Sequence, residues 1–181
     1  RDRVGAPLWV YNIPSTVKTV VEPATIARLA AEGTVVGVKD SSGDGESLAQ
    51  LNALCQQGGI EMYRFLGTIY RTTSSRALGA HGVIMGLANV APAVVSRAWE
   101  AGEAGDSEGV REGEAGLMIA TRLMRLTGGG SETADRLSGL KSALKVMGVL
   151  EHDTLTMPLR PLTDEERQPM PAILKSLGLL A

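Results

Sequence analysis

The segment Val35-Val36-Gly37-Val38-Lys39-Asp40-Ser41-Ser42-Gly43-Asp44 holds the side chain best suited to covalent chemistry. A β-branched run ends in one lysine and then breaks into a Ser/Gly/Asp loop. This pattern reads as a strand buried on both faces, followed by a strand-to-helix turn. At such a strand end Lys39 loses hydration, which disfavours the ammonium, lowers its pKa and makes the amine a nucleophile near neutral pH. A second role stays open on these residues alone. The lysine stem can lie along apolar surface while its head reaches water and neutralises a carboxylate.

Other chemistry has less to draw on. His81 and His152 lie far apart in sequence, which leaves little for a zinc site. Cys55 is the single cysteine, so no internal disulfide is expected, and beside Leu51 and Leu54 it reads as a small buried hydrophobe. Asp164-Glu165-Glu166 reads as the solvated first turn of a helix rather than a metal site. Gly128-Gly129-Gly130 follows a helix, whereas a dinucleotide loop follows a strand. No serine stands in a nucleophile-elbow pattern with a matching histidine.

The elements around Lys39 alternate. Leu8 to Tyr11 reads as a strand stopped by Pro14. A helix opened by Pro23 follows, with Ile26, Leu29 and Ala30 on one face and Gly33 closing it. The strand Val35 to Lys39 leads into a helix from Gly45 to Gln57 that turns Leu48, Leu51, Leu54 and Cys55 inward. Met62 to Leu66 is a third strand, Thr72 to Leu78 a short helix, and Gly82 to Met85 a fourth strand. Pro92 opens a helix with Val94, Val95, Ala98 and Trp99 inward, capped by Gly102. Strand starts recur at intervals of 27, 27 and 20 residues, which suits βαβ units and a parallel sheet. Sites in such sheets gather at the C-terminal strand ends, where Tyr11, Lys39, Gly67 and Gly86 all fall.

Beyond Gly102 the pattern is all-helical. Asp106 to Leu126 forms one stretch, weakened by Gly113 and Gly116. Gly128 to Gly130 forms a break, and Leu137, Leu140, Leu144 and Met147 mark an amphipathic helix ending at Gly148. Pro158 and Pro161 mark an extended connection. Thr163 to Glu166 fits a capping box, and Pro169 and Pro171 split off a last helix.

With 181 residues, 44% of them hydrophobic, and a net charge of -2, the chain suits a compact domain with an appendage. It has no basic field to favour nucleic acid and no apolar run long enough for a membrane span. A cationic leader before an apolar core is not visible, and with one cysteine the expected compartment is the cytoplasm. The chain opens Arg1-Asp2-Arg3-Val4 without a methionine and enters a strand almost at once, so it is expected to be a piece of a longer protein.

Tyr11-Asn12-Ile13-Pro14, Gly37-Val38-Lys39-Asp40-Ser41-Ser42-Gly43-Asp44 and Gly79-Ala80-His81-Gly82-Val83-Ile84 together resemble one family. It is the dihydrodipicolinate synthase/N-acetylneuraminate lyase family of class I, Schiff-base-forming aldolases. The resemblance extends over Leu140 to Leu144 and Pro161 to Thr163. It implies an α/β fold, a (β/α)8 TIM barrel followed by a small helical domain. Residues 1–103 would supply strands five to eight, the C-terminal half of the barrel, and residues 104–181 the helical C-terminal domain. Strands one to four, with their carboxylate-gripping loop, would lie outside this chain.

By that resemblance Lys39 forms an imine with pyruvate or another 2-keto acid, and Tyr11 shuttles protons at the carbinolamine and carbon–carbon bond steps. The backbone carbonyl of Ile84 would face the bound pyruvate, its side chain being ordinary core. Thr16, Gly67 and Gly86 would complete the substrate-binding set. No cofactor and no metal are implied, and the expected assembly is a homotetramer.

Departures bear on substrate. Thr16 stands where the synthase usually has an arginine that holds the carboxylate of aspartate semialdehyde, and threonine supplies no bidentate cation. Ile69 and Tyr70 stand where sialic acid lyases carry an acidic pair, and Gly86 where they carry serine. The reading that follows is a pyruvate-dependent aldolase acting on a 2-keto acid such as a 2-keto-3-deoxy sugar acid. The alternatives are 4-hydroxy-tetrahydrodipicolinate synthase, with the carboxylate grip coming from Lys18 or from the absent half, and a non-catalytic keto-acid-binding relative. Four βα units leave two sheet edges unpaired and one apolar face uncovered, so the chain alone is not expected to be a well-ordered monomer.

Overall fold

Four short parallel strands, each followed by a turn or helix, form the first of two compact units in the computed structural model, which describes residues 5–127 and 129–180. The strands are β1 (Trp9–Asn12), β2 (Gly37–Asp40), β3 (Tyr63–Leu66) and β4 (Gly82–Val83), and they lie side by side in chain order. The register sets Tyr11 opposite Lys39 and Lys39 opposite Phe65. Because strand side chains alternate faces, Trp9, Tyr11, Gly37, Lys39, Tyr63 and Phe65 share one face, and Val10, Asn12, Val38, Asp40, Arg64 and Leu66 the other.

Helices cover the second face. The short α1 (Pro14–Val17) is followed by α2 (Pro23–Ala31) and α3 (Gly45–Gly58). Pro23 sits at the start of α2, where its missing N–H costs no helix bond. Asp44 caps α3 by accepting from the Glu46 N–H at 3.0 Å, and Gly59 ends it in the left-handed region. Ile26, Ala30, Val38, Leu51, Cys55 and Met62 pack there in one buried cluster, and Leu48, Leu66 and Ala80 in another, against which Trp99 packs. Cys55 is thus the buried hydrophobe its sequence position implied.

The second unit comprises Gly86–Ala98 and Arg111–Ala181. Two helices run into both units: α4 (Pro92–Ala104) and α5 (Ser107–Thr121). The second unit alone holds α6 (Glu132–Val146), α7 (Asp164–Arg167) and α8 (Met170–Ser176). Its buried residues include Leu87, Val94, Leu117, Leu123, Leu140, Met170 and Leu174. Thr163 and Glu166 form the expected capping box, and Glu166 also takes both Arg160 guanidinium nitrogens at 2.7 Å. Asp153 is buried and accepts from Ser142 Oγ at 2.8 Å, Lys145 Nζ at 3.0 Å and Arg167 Nη2 at 2.9 Å.

Several elements differ from expectation. Residues 72–78 are successive turns rather than a helix, because the Thr72-Thr73-Ser74-Ser75 run offers its hydroxyls to backbone carbonyls. Thr72 Oγ1 donates to Ile69 O at 2.9 Å and Ser75 Oγ to Thr72 O at 2.6 Å. Gly102 does not cap α4, which runs on to Ala104, and Gly105 takes the positive φ of 67°. Gly102 instead lets the helix meet the Thr73 carbonyl, where any side chain would overlap backbone. The fourth strand closes at Val83, after which Gly86–Asn89 make a 3₁₀ turn. The Asp106 to Leu126 stretch gives way at Thr121 to a 3₁₀ turn over Arg122–Met124. On α6, Leu137 is exposed while Ser138 and Ser142 are buried, since their hydroxyls find Arg160 O and Asp153. Of the Gly128 to Gly130 break, Gly128 lies outside the described residues.

Candidate active site

Lys39 and Tyr11 meet on the open face of the sheet. They face each other across β1 and β2, and Lys39 Nζ lies 3.1 Å from the Tyr11 hydroxyl and 4.3 Å from the ring centroid. Lys39 is half-buried, while Tyr11 is 51% exposed. Burial pushes the Tyr11 phenol up, but hydrogen bonds from Lys39 and from Ser41, with the Lys39 charge, outweigh it and leave its pKa lowered. A phenol in this setting gives up its proton more readily than a free tyrosine.

The loop after Lys39 is tied down from beneath. Asp40 points to the covered face and is buried, where its carboxylate accepts from Ser42 N at 2.7 Å, Ser42 Oγ at 2.6 Å and Asn12 Nδ2 at 3.2 Å. Asn12 Oδ1 in turn accepts from the Val21 N–H at 3.1 Å. Asn12 and Asp40 are thus the hidden counterparts of Tyr11 and Lys39, one residue on in each strand. The Ser41 N–H donates to Asn12 O at 2.8 Å, which carries the ladder one residue past the strand end.

The remaining expected residues fall in different places. Gly67 follows β3, donates its N–H to Asp40 O at 2.6 Å, and sits against Ser41 and Lys39. A Cβ there would overlap the Ser41 hydroxyl and lie 3.1 Å from Lys39 Cε. Ile84 donates its N–H to Leu66 O at 2.8 Å, and its side chain is 47% exposed rather than in the core. The reason is its position one residue beyond the short fourth strand, facing the uncovered side. Thr16 is exposed on α1. Lys18 turns its amine onto Ser15 O at 2.7 Å. Gly86 belongs to the second unit, where its carbonyl accepts from Asn89 Nδ2 at 2.9 Å.

A cleft of about 590 Å³ opens at the other end of the strands, lined by Val36, Glu61, Tyr63, Arg64 and His81 but not by Lys39 or Tyr11. His81 Nδ1 accepts from the Arg64 N–H at 3.1 Å, and burial with the Arg64 and Arg76 charges pushes its imidazole pKa down. The Arg64 guanidinium is spent on Gly79 O and Met62 O. The cleft therefore offers packing and backbone contacts, while Lys39 and Tyr11 lie at the opposite strand ends. Among the described residues no group of His, Cys, Asp and Glu could hold a metal ion, and no helix is long and apolar enough to cross a membrane.

The four-stranded parallel sheet with helices between its strands defines an α/β protein, and its β2 end carries a lysine amine in contact with the Tyr11 hydroxyl. The model of the Dihydrodipicolinate synthetase family matches residues 3–177, and the chain belongs to that family. It is 32% identical over 179 residues to 4-hydroxy-tetrahydrodipicolinate synthase of Pelobacter propionicus, and 29% identical to that of Thermodesulfovibrio yellowstonii. Each match covers 99% of this chain and 58% of the relative, so the chain spans little more than half the relatives' length. Its fold matches dihydrodipicolinate synthase from Bacteroides thetaiotaomicron, a TIM barrel, with a TM-score of 0.84 at 28% identity, over 95% of this chain and 56% of that one.

Proposed function

We propose that the whole protein is a class I, Schiff-base-forming lyase that makes or breaks a carbon–carbon bond next to pyruvate. The observation that carries this is the 3.1 Å contact between Lys39 Nζ and the Tyr11 hydroxyl at the strand ends. In this reading the deprotonated amine attacks the keto carbon, and Tyr11 lends its proton to the carbinolamine oxygen, which leaves as water. The resulting imine is an electron sink for the adjacent carbanion. On cleavage of a 2-keto-3-deoxy acid, the C3–C4 bond breaks, its electrons pass to the enamine, and Tyr11 takes the proton of the C4 hydroxyl. Protonation at C3 and hydrolysis then release pyruvate. Neither step calls for a cofactor. Ile84, Gly67, Thr16 and Gly86 are assigned to the substrate side, and the assembly is a homotetramer.

The preferred substrate is a 2-keto acid such as a 2-keto-3-deoxy sugar acid. Thr16 supports this, since a hydroxyl offers no bidentate grip on the carboxylate of aspartate semialdehyde. The names of the relatives favour a second reading, 4-hydroxy-tetrahydrodipicolinate synthase. Paired assays decide between them. Cleavage of 2-keto-3-deoxygluconate with little condensation of aspartate semialdehyde is expected. Efficient condensation without cleavage would establish the second reading instead.

A further inference from the structure

We infer that Trp9 is a positioning residue for Lys39, its ring filling the gap beneath the lysine stem so that the amine stays up against Tyr11. The inference rests on the imine chemistry proposed for Lys39 and adds a residue which that chemistry does not name. Side chains two apart on a strand share a face and stand about 7 Å apart along it. The place beneath Lys39 therefore belongs to residue 37, and glycine leaves it without a side chain. The Trp9 ring crosses from β1 to fill it, since a Cβ on Gly37 would overlap the six-membered part of the indole. Stacking on Phe65 at 5.5 Å and on Tyr63 at 5.9 Å, each at an interplanar angle of 17°, pins the ring there.

The other sides of the lysine are settled as well. The register places Tyr11 and Phe65 directly beside it on the two neighbouring strands. Gly67, just past the end of β3, lets the upper stem come close, and a Cβ there would stand 3.1 Å from Lys39 Cε. A lysine stem is flexible and loses entropy when it is held in one direction. With the Trp9 ring below, Phe65 on one side and Tyr11 on the other, the stem has no room to fold back along the strand. Its amine lies 3.1 Å from the Tyr11 hydroxyl and 4.3 Å from the ring centroid. Trp9 takes part in no bond made or broken and acts only through Lys39.

In the whole protein, Trp9→Ala empties the gap and should lower kcat by about 10–100-fold, as a displaced reacting group does, with little change in KM. Trp9→Phe keeps a ring and should recover most of the loss. Gly37→Ala, which pushes the ring aside, should reproduce it. Made on top of Tyr11→Phe, Trp9→Ala should cost little more, because the contact it protects is already gone. The ring also reports on the lysine. Acrylamide quenching of Trp9 emission is read as the difference between a protein and its Trp9→Phe counterpart, so that Trp99, the other tryptophan, cancels. This quenching should rise in Lys39→Ala, where the stem no longer covers the ring. An unchanged kcat in Trp9→Ala overturns the inference, as does the same fold-loss with and without the Tyr11 hydroxyl. So does unchanged quenching in Lys39→Ala, a result that stands even where Trp9→Ala does not fold. If the wild type formed no imine on Lys39, the proposed function would fall while the quenching comparison still reported on Trp9 and Lys39.

Discussion

The two faces of the same three strands are used in opposite ways. On the helix-covered face Val38 and Leu66 are almost wholly buried, at 0% and 1% exposure. On the other face Trp9, Tyr11 and Tyr63 stay at 43%, 51% and 58%. Trp9 stacks on Phe65 at 5.5 Å and on Tyr63 at 5.9 Å, and its ring lies over Gly37, where a side chain would overlap it. One residue along a strand exchanges a buried anchor for a contact on the open face, since Asp40 anchors the loop beneath and Lys39 meets Tyr11 above. Period-two alternation thus separates the packed side chains from the Lys39–Tyr11 contact within four residues.

That separation can be broken by substitution in the whole protein. Tyr11→Phe should lower kcat by about 10²–10³-fold, the usual worth of a positioned proton donor, while changing stability by less than about 0.5 kcal/mol. Steady-state kinetics beside a denaturant melt would check both halves. A melt shifted as far as the activity would mean that Tyr11 is structural. Leu66→Ala on the covered face should do the reverse, costing about 3–4 kcal/mol of stability by denaturant titration. Its effect on kcat should be small wherever the protein stays folded.

The contrast between the faces was partly legible beforehand. The β-branched run ending at Lys39, the Pro14 stop and the Gly/Ser/Asp loop express local rules of strand, turn and cap, and a strand does lead into that loop, although it starts at Gly37 rather than Val35 and runs on to Asp40. Matching Tyr11 to Lys39 needed the register between strands 28 residues apart, which the family resemblance supplied and the parallel pairing explains. What escaped notice depended on tertiary partners. The 72–78 turns come from hydroxyls competing for carbonyls, and the exposure of Leu137 comes from serines whose partners lie up to 22 residues away.

Asp153 supplies a comparison outside the sheet. Burial pushes this carboxyl up, but hydrogen bonds from Lys145, Ser142 and Arg167 outweigh it and bring its pKa down to about 2. Since the folded value lies below the unfolded 3.8, the stabilisation is full above pH 4 and is lost as pH falls through about 2. Asp153→Asn should therefore destabilise at pH 7 by about 2–3 kcal/mol, as removing one partner of a buried pair does. It should also flatten the acid branch of the stability curve while leaving the kcat pH profile unmoved. A melt series from pH 2 to 7 reads this directly.

The smallest effect concerns the open face itself. The 181-residue chain on its own presents Trp9, Tyr63 and Ile84 to water beside unpaired strand edges, and it should associate rather than run as a lone species. Size-exclusion scattering that gave a monodisperse, cooperatively melting monomer at 19.0 kDa would show that this face needs no cover.

The central claim is that Lys39 is the imine-forming amine. Sodium borohydride added to the whole protein with pyruvate reduces an imine to a stable secondary amine, which intact and peptide mass spectrometry locate. The account predicts one pyruvate-derived adduct per chain, on the peptide containing Lys39 and absent from Lys39→Arg. No adduct, or an adduct carried equally by other lysines, would contradict it.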